Sequence, residues 1–383
     1  MLLLFFFESF IFSAIEEPIH KRIIKRGDEG SEFYRIPALA FAPDNKTLVA
    51  ATDKRWGSIN DLPKKIDIII KLSYDLGKTW TTEKLLTGGK ANPVGYGDPA
   101  LIVDREVNAI FCFFTSGPGW TGSTDKNPQG NHYCVSYDNG ETWSDPIDIT
   151  DMLYGYNCRD PQLKGYYSNF LTSGNGIMTR NGRLMLVGIA RENSVARLHP
   201  HVVYSDDHGR TWKMSPNRGV DGGDESKVIE LNNGSILMDI RTAGKRRFTI
   251  SNDNGYSWGP VYPQDQLIDP NCNGEIIRYT STLDGYDKNR IIHTNLHSTG
   301  ERKNLVIMIS YDEGETWKYM KVIEPSYCIY SSVATSPIDG KIYVYWEKSI
   351  DHTVSSGVDM IFTTLTLEWI TDGEDSWTPP KKR

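Results

Sequence analysis

Cysteine is scarce in this sequence, with five residues in 383, and none of them forms a Cys-x-x-Cys or close Cys/His pattern. An odd number without that spacing argues against a structural zinc site and against a disulfide framework. Long apolar runs are also missing. The longest, near the N-terminus, has about a dozen residues and is interrupted by Glu8, so it is too short to span a bilayer. We therefore expect no metal, no organic cofactor and no stable membrane span.

A basic excess is absent as well. The chain has 42 Lys and Arg against 49 Asp and Glu, a net charge of −7, which argues against nucleic-acid binding. Residues 30–370 contain no Pro/Ser linker, low-complexity block or charge run. We therefore expect one domain over residues 18–372, followed by a polar basic tail over 373–383. The sequence does not reveal the oligomeric state.

The N-terminal residues 1–17 read as a hydrophobic leader or signal peptide. The apolar stretch favours secretion, but no basic segment precedes it, and Phe12 fits poorly before a cut after Ala14. We expect a secreted, cell-surface or lysosome-like protein, and a cytoplasmic location stays open.

One pattern, Ser-x-Asp-x-Gly-x-(Thr/Ser)-Trp, occurs five times at intervals of 46 to 69 residues. Self-similarity at such a period indicates a repeat architecture with one supersecondary unit per repeat. The copies span residues 73–80, 136–143, 205–212, 251–258 and 310–317.

Each copy follows a short run of apolar and β-branched residues, which predicts a buried strand. Asp-x-Gly then supplies turn chemistry, because Asp accepts from nearby backbone amides and Gly adopts left-handed conformations. The Trp packs over the turn. We interpret these Asp residues as structural. Hairpins at this spacing predict an all-β fold, a six-bladed β-propeller with four-stranded antiparallel blades over residues 20–370.

Sites in propellers lie at one end of the central channel, so functional residues should be scattered along the chain. Charged or polar residues that interrupt apolar strand-like runs are therefore the candidates. They are Arg35 in YRIPAL, Arg55 and Asp61 near the following loop, Asp98, Glu225, Arg241, Arg302, Tyr330 and Glu347.

These features resemble the sialidase (neuraminidase) family. The five repeats look like its Asp boxes, and Tyr34-Arg35-Ile36-Pro37 resembles its Phe/Tyr-Arg-Ile-Pro motif. The resemblance extends from about residue 30 to 350. Tyr in place of the commoner Phe, the basic loop after Asp61 and the lack of an Asp box in the sixth blade are the departures.

The resemblance implies that Arg35, Arg241 and Arg302 form the arginine triad that clamps the substrate carboxylate. Guanidinium groups suit that task because they bind carboxylates through paired, charge-assisted hydrogen bonds. Glu347 matches the acid that orients the first arginine. Arg55 and Asp98 match positions that contact the 4-position and the N-acyl group of the sugar.

The resemblance also makes Tyr330 the nucleophile, Glu225 the base that activates it and Asp61 the general acid/base. Sialidases use Tyr where most retaining glycosidases use a carboxylate, and a neutral phenol avoids repulsion by the substrate carboxylate. An ordinary Asp is ionised at neutral pH, so we expect a raised pKa for Asp61 and an acidic activity optimum.

The predicted function is therefore exo-α-sialidase activity, which releases terminal sialic acid from glycoproteins, glycolipids or oligosaccharides with retention. Three alternatives stay open. A trans-sialidase would share every residue named above, a non-enzymatic sialic-acid-binding propeller would need none of Asp61, Glu225 and Tyr330, and a purely structural Asp-box propeller leaves the arginines unexplained.

Overall fold

The computed structural model describes residues 15–89, 91–195, 197–351, 353 and 356–381. Residues 1–14 of the predicted leader and residues 382–383 of the predicted tail lie outside the described residues. The fold is all-β, and the short helices are α1 (Gly119–Gly122), α2 (Thr150–Leu153), α3 (Leu367–Ile370) and two 3₁₀ turns at Asp28–Gly30 and Thr282–Asp284. Among the described residues, no helix has the length and apolar character needed to cross a membrane.

The strands are short and closely spaced along the whole described chain. In chain order they are β1 (Ile19–Ile24), β2 (Phe33–Phe41), β3 (Leu48–Arg55), β4 (Ile66–Ser73), β5 (Lys84–Leu85), β6 (Tyr96–Asp104), β7 (Ala109–Ser116), β8 (Gly130–Ser136), β9 (Ile147–Asp148), β10 (Ser168–Leu171), β11 (Gly174–Asn175), β12 (Ile177–Met178), β13 (Leu184–Arg191), β14 (His199–Ser205), β15 (Lys213–Arg218), β16 (Asp224–Glu230), β17 (Ile236–Arg241), β18 (Ala243–Ser251), β19 (Tyr262–Pro270), β20 (Glu275–Thr280), β21 (Arg290–Leu296), β22 (Lys303–Ser310), β23 (Tyr319–Thr335), β24 (Ile342–Ser349) and β25 (Val358–Leu365).

The described strands form five hydrogen-bonded sheets in a propeller arrangement. Two sheets have four strands, β2-β3-β4-β5 and β16-β17-β18-β19, and two have five strands, β11-β6-β7-β8-β9 and β10-β13-β14-β15 with β12 paired to β13. The fifth sheet has seven strands in the order β1-β25-β24-β23-β22-β21-β20. Chain closure is therefore made by β1, which pairs with the last strand, β25.

The predicted six separate, four-stranded antiparallel blades are thus wrong as a description of the sheets. One cause is the 17-residue strand β23, which pairs with β22 through its first part and with β24 through its second part, and so joins two hairpin sets. A second departure is β11, which adds to β6 in parallel.

The apolar core lies between neighbouring sheets. Ala38 and Ile70 of one sheet pack with Leu101, Cys112 and Phe114 of the next in a single buried cluster. Burial of such side chains contributes about 25 cal/mol per Å² of apolar surface. All five cysteines are buried free thiols, and Cys112 and Cys134 face each other across β7 and β8.

Each Asp box lies between the third and fourth strands of its hairpin set. In the second copy, Asp138 accepts from the Thr142 amide at 2.8 Å and from its hydroxyl at 2.6 Å. The Ser136 hydroxyl accepts from the Gly140 amide at 2.8 Å, and the Trp143 indole donates to the Gly140 carbonyl at 2.9 Å. The turn is held by its own residues, as the sequence predicts.

The Asp boxes lie far from the strand ends that carry the candidate residues. In the first sheet, the loop that contains Asp61 joins Arg55 at the end of β3 to Ile66 at the start of β4. The first Asp box follows Ser73, at the other end of β4. Eight residues of extended strand separate the two ends by roughly 23 Å.

Candidate active site

The nine predicted site residues come from seven strands and two loops and meet at one end of the propeller. Their contacts form two groups, one around Tyr330 and one around Arg55, and the charges of Asp61 and Arg35 act between the two groups. Arg35 lies in β2, Arg55 ends β3, Asp98 lies in β6, Glu225 in β16, Arg241 ends β17, Tyr330 lies in β23 and Glu347 in β24, while Asp61 and Arg302 lie in loops.

Tyr330 and Glu225 lie at the centre of the first of these two groups. The Tyr330 hydroxyl donates to Glu225 Oε2 at 2.5 Å, and both side chains are buried, with 8% and 2% of their surface exposed. Arg241 Nη1 donates to the Tyr330 oxygen at 3.0 Å and also to Glu225 Oε2. A phenol, a carboxylate and a guanidinium therefore share one hydrogen-bonded cluster.

The other two predicted triad arginines lie against the ring of the same tyrosine. The Cζ atom of Arg35 is 5.1 Å and that of Arg302 is 5.9 Å from the Tyr330 ring centroid. Burial and the Glu225 charge raise the pKa of Tyr330 well above its usual value, against the opposing charges of Arg241 and Arg302. Tyr330 is therefore a neutral phenol that donates to Glu225, surrounded by three cations.

Arg35 is oriented by a buried carboxylate. Its Nε and Nη2 atoms donate to the two oxygens of Glu347 at 2.9 and 3.2 Å. Glu347 also accepts from the backbone amides of Ile36, at 2.6 Å, and Tyr330, at 2.9 Å. Burial disfavours the charge on Arg35, but Glu347 outweighs this and raises the pKa of Arg35. Glu347 thus ties the first predicted arginine to the backbone of the predicted nucleophile.

Arg241 and Arg302 converge on Asn271. The Asn271 carbonyl accepts from Arg241 Nη2 at 2.8 Å and from Arg302 Nη2 at 3.5 Å, and its side-chain oxygen accepts from Arg241 Nε at 3.2 Å. Asp224 lies 3.4 Å from Arg241 Nη2. Arg302 has no carboxylate within ion-pair distance among the described residues, so its charge is the least compensated of the three.

Arg55 joins two carboxylates. Its Nη2 atom lies 2.8 Å from Asp53 Oδ2 and 2.8 Å from Asp61 Oδ1. Arg55 and Asp53 are buried, whereas the Asp61 side chain is 74% exposed. Asp61 therefore projects into open space from a buried Asp–Arg pair.

The predicted raised pKa of Asp61 is wrong for this site. Partial desolvation beside the buried Arg55 would raise it although the side chain itself is mostly exposed, but the charges of Arg55 and Arg35 outweigh this and lower the pKa of Asp61 below its usual value. The carboxylate gains stability from its hydrogen bond to Arg55 and from the arginines around Tyr330. In the arrangement described here, Asp61 is ionised.

Asp98 lies beside the Arg55 group and differs from Asp61 electrostatically. Its backbone amide donates to Asp53 Oδ1 at 3.0 Å, and its φ of 64° places it in the left-handed region. Burial, followed by the charges of Asp53 and Asp61, raises the pKa of Asp98 well above its usual value. Burial also raises the pKa of Asp53 to about 6. The environment thus favours the protonated form of Asp98 and the ionised form of Asp61.

The sequence analysis missed two residues that position the predicted ones. Asp53 precedes Arg55 by two positions in β3, so both point to the same face of the strand, and that alternation was a usable signal. Asn271 carried no such signal, because it positions Arg241 and Arg302 with backbone and side-chain oxygens in a strand-end turn. Among the described residues, no group of three or more His, Cys, Asp or Glu is placed to hold a metal ion.

Residues 56–344 match the family described as BNR repeat-like domain. The chain is 32% identical over 374 residues to a sialidase of Micromonospora viridifaciens, covering 92% of this chain and 55% of that protein. It is 28% identical over 324 residues to a sialidase of Bacteroides fragilis, covering 80% of this chain and 58% of that protein. The chain therefore spans little more than half the length of these two relatives.

Solved structures are similar over most of the described fold. The Hadza microbial sialidase Hz136 aligns with a TM-score of 0.81 and 26% identity, over 92% of this chain and 69% of that chain. A leech intramolecular trans-sialidase aligns with a TM-score of 0.77 and 19% identity, over 94% of this chain and 71% of that chain. At that lower identity the second likeness supports the fold alone.

Proposed function

This chain belongs to the sialidase family, and we propose that it is a glycoside hydrolase, an exo-α-sialidase that releases terminal sialic acid from glycoconjugates. The substrates are sialylated glycoproteins, glycolipids or oligosaccharides. The observation that carries the proposal is the 2.5 Å hydrogen bond from Tyr330 to Glu225 within reach of three arginines. Binding of a sugar acid alone requires the cations but not a base on the tyrosine.

In the first step, the substrate carboxylate binds the arginines. Arg302 is half-buried and lacks a carboxylate partner among the described residues, so it is the group most available to a new anion. Arg35 is held in place by Glu347, and Arg241 supplies a third donor set. Guanidinium forks match a carboxylate geometrically, which fixes the anomeric carbon over Tyr330.

In the second step, Tyr330 Oη attacks the anomeric carbon and Glu225 takes the phenol proton. The raised pKa of Tyr330 means that no free phenolate forms beforehand. Proton transfer and attack are therefore coupled, and the 2.5 Å contact is short enough for that transfer. Arg241 donates to both oxygens and stabilises the charge that passes between them.

Asp61 protonates the departing glycosidic oxygen in this scheme. Its pKa is lowered in the free site by Arg55 and Arg35. A bound carboxylate would neutralise part of the positive charge from Arg35 and Arg302, and so raise the pKa of Asp61. Asp61 later takes a proton from the water that hydrolyses the sialyl–Tyr330 intermediate, which gives net retention.

Arg55 and Asp98 contact the sugar beside this centre. Arg55 is anchored by Asp53, so it is fixed before substrate arrives. Asp98, kept protonated by burial and neighbouring carboxylates, is able to donate a hydrogen bond to an acyl or hydroxyl oxygen. We assign them to the 4-position and the N-acyl group.

Cleavage of a fluorogenic α-sialoside by wild type, Tyr330→Phe and Tyr343→Phe over pH 4 to 7 tests the function. Tyr343 is a matched control because it is buried, and its hydroxyl has no hydrogen-bond partner among the described residues. We expect turnover in wild type and Tyr343→Phe, and a loss of at least about 10³-fold in Tyr330→Phe. Absence of turnover in wild type would remove the hydrolase proposal.

Transfer to an acceptor sugar uses the same residues as hydrolysis, so it needs its own measurement. Wild type is supplied with a sialoside and excess lactose, and products are separated by mass. We expect free sialic acid as the main product because Asp61 is open to solvent, with 74% of its side chain exposed. Sialyllactose as the main product would assign a trans-sialidase.

We also infer that the seven-stranded sheet acts as two blades, which would give six sectors around the axis. The change of partner in β23 supports this, because Tyr327 pairs with β22 and Cys328 with β24. Pro325 lies two residues before this change and lacks an amide hydrogen. Amide hydrogen exchange tests whether the seven-stranded sheet acts as two blades. We expect the two halves of β23 to differ in protection, and equal protection of both halves would contradict the two-blade interpretation.

A further inference from the structure

Two ionisable side chains, one basic and one acidic, lie buried beneath the Tyr330–Glu225 pair and have no part in the mechanism above. Lys227 and Glu275 are each 1% exposed. A buried charge is costly unless it is paired and hydrogen-bonded. Their presence in the interior next to the site therefore requires a reason.

Both groups hold the same turn. Lys227 Nζ donates to the Ser173 carbonyl, and Glu275 Oε2 accepts from the Asn175 amide at 3.1 Å. Gly174, between them, has a φ of +100°, and a Cβ there would lie 2.8 Å from Lys227 Nζ and in contact with Glu275. The two charges thus converge on a position that only glycine can occupy.

The Ser173–Asn175 turn also contacts Glu225, the predicted base. Ser173 Oγ donates to Glu225 Oε1 at 3.5 Å, and Asn273 Nδ2 donates to Ser173 Oγ at 3.1 Å. Glu225 Oε2 is already committed to Tyr330 and Arg241. Ser173 is therefore the neighbour that contacts the second oxygen of this carboxylate.

Glu275 also reaches the strand that carries the predicted nucleophile. The Ser332 hydroxyl, two residues after Tyr330, donates to Glu275 Oε2 at 3.3 Å. Asn175 Nδ2, from the turn, donates to the Val333 carbonyl at 2.9 Å. Lys227 is two residues after Glu225 in β16. The pair is thus linked to both the base and the nucleophile strand.

We propose that Lys227 and Glu275 are positioning residues that set the placement of Glu225 against Tyr330 through the Ser173–Asn175 turn. The expected loss of kcat rests on the proposed function. The expected displacement of Glu225 rests on the geometry alone. Displacements near 1 Å at a catalytic group cost up to about 10²-fold in rate. Loss of either link would therefore lower kcat more than KM.

The test compares Lys227→Met, Ser173→Ala and the double variant Lys227→Met/Glu275→Gln with the control Arg290→Met. Arg290 is a buried cation that pairs with Asp375 and Asp287 and has no contact with the predicted site residues. Kinetics on a fluorogenic sialoside are measured per folded molecule from pH 4 to 8, together with thermal unfolding.

We expect Lys227→Met to lower kcat at least about 10-fold, with KM changed less than about 2-fold and the acidic limb of the kcat profile displaced. Ser173→Ala should reproduce the kinetic loss. The double variant should recover the unfolding temperature but not kcat, since it removes both buried charges without restoring the turn contact. Arg290→Met should lose stability alone.

Equal kcat per folded molecule in Lys227→Met and Arg290→Met would overturn the proposal and leave the pair a purely structural one. Crystal structures of these two variants give a readout independent of turnover. The proposal predicts that Glu225 Oε2 moves away from Tyr330 Oη in Lys227→Met only. An unmoved Glu225 contradicts the positioning proposal, whether or not the wild-type protein cleaves sialosides. Inactivity of the wild-type protein on sialosides would instead remove the proposed function.

Discussion

The Asp-box carboxylates and the active-site carboxylates are stabilised in opposite ways. Asp138 of the second box accepts from Ser136 and Thr142, two and four residues away. In the site, Glu347 binds Arg35 across 312 positions of sequence. The first arrangement completes its own hydrogen bonds wherever it lies in the chain, whereas the second exists only once the propeller has closed.

The pKa values follow the same division. In the box at Asp75, hydrogen bonds from Thr79 lower the pKa of the aspartate to about 2. In and below the site, burial raises the pKa of Asp53 to about 6 and that of Glu275 to about 7. The hydrogen bonds of this solvated turn thus favour the ionised carboxylate, whereas burial disfavours it at Asp53 and Glu275.

The largest effect is expected from Arg35→Met. It leaves Glu347, which is fully buried, without its cation, and loss of one partner of a buried pair costs about 3–5 kcal/mol. We expect a corresponding drop in the free energy of unfolding in denaturant and at least about 10³-fold lower kcat/KM. Arg35→Lys, which keeps the charge but not the fork, should lose less stability. Stability unchanged in Arg35→Met would show that the backbone amides alone satisfy Glu347.

Glu275→Gln should change how stability depends on pH. Because the pKa of Glu275 is raised from 4.5 to about 7, largely by burial and against the charge of Lys227, its contribution is complete below pH 4.5 and is lost as pH rises toward 7. The loss amounts to at most about 3 kcal/mol. Denaturant unfolding from pH 4 to 8 should show a flatter profile in the variant. An identical slope in both proteins would contradict the raised pKa.

Arg55→Gln should move a limb of the activity profile. Arg55 lowers the pKa of Asp61, so its removal raises that pKa and keeps Asp61 protonated to higher pH. We expect the limb on which activity falls with rising pH to shift in the alkaline direction. A pH–rate profile of kcat for both proteins measures this, and a shift toward acid would indicate that Asp61 is not the acid.

The smallest effect is expected from Asp75→Ala in the first Asp box. It removes local hydrogen bonds to Thr79 and Ser73, and each such bond contributes about 1 kcal/mol. Unfolding free energy should fall by about 1–2 kcal/mol, while kcat and KM stay unchanged. This difference from wild type should shrink as pH falls from 3.8, the ordinary pKa of Asp, through about 2, the lowered pKa of Asp75. A change in kcat would mean that the Asp-box turns influence the catalytic step.

The same division explains what could be predicted from the sequence. The hydrogen-bond partners of an Asp-box aspartate, such as Ser136 and Thr142 for Asp138, lie within the same eight residues, so the turn could be predicted from the motif. The number of sheets could not, because Pro325 in β23 does not by itself show that the strand exchanges β22 for β24. The predicted direction of the pKa shift of Asp61 was wrong for a related reason, because that direction depends on how close Arg35 and Arg55 come to Asp61 after folding.

The nine site residues were predicted through family resemblance, and the structure brings them together. Their roles stay predictions. What the sequence pattern did not supply is the layer behind them, which includes Asp53, Asn271 and the Lys227–Glu275 pair. Asn271 and the Lys227–Glu275 pair act largely through backbone carbonyls and amides, whose positions no short motif specifies.

The central claim is that Tyr330, held by Glu225, attacks the anomeric carbon. Incubation with a fluorinated sialic acid that forms a slowly hydrolysed glycosyl–enzyme adduct tests it directly, with intact mass followed by peptide mapping. The account predicts one added sialyl group, on the peptide that contains Tyr330, and none in Tyr330→Phe. An adduct on another residue, or no adduct in a protein that turns over sialosides, would contradict it.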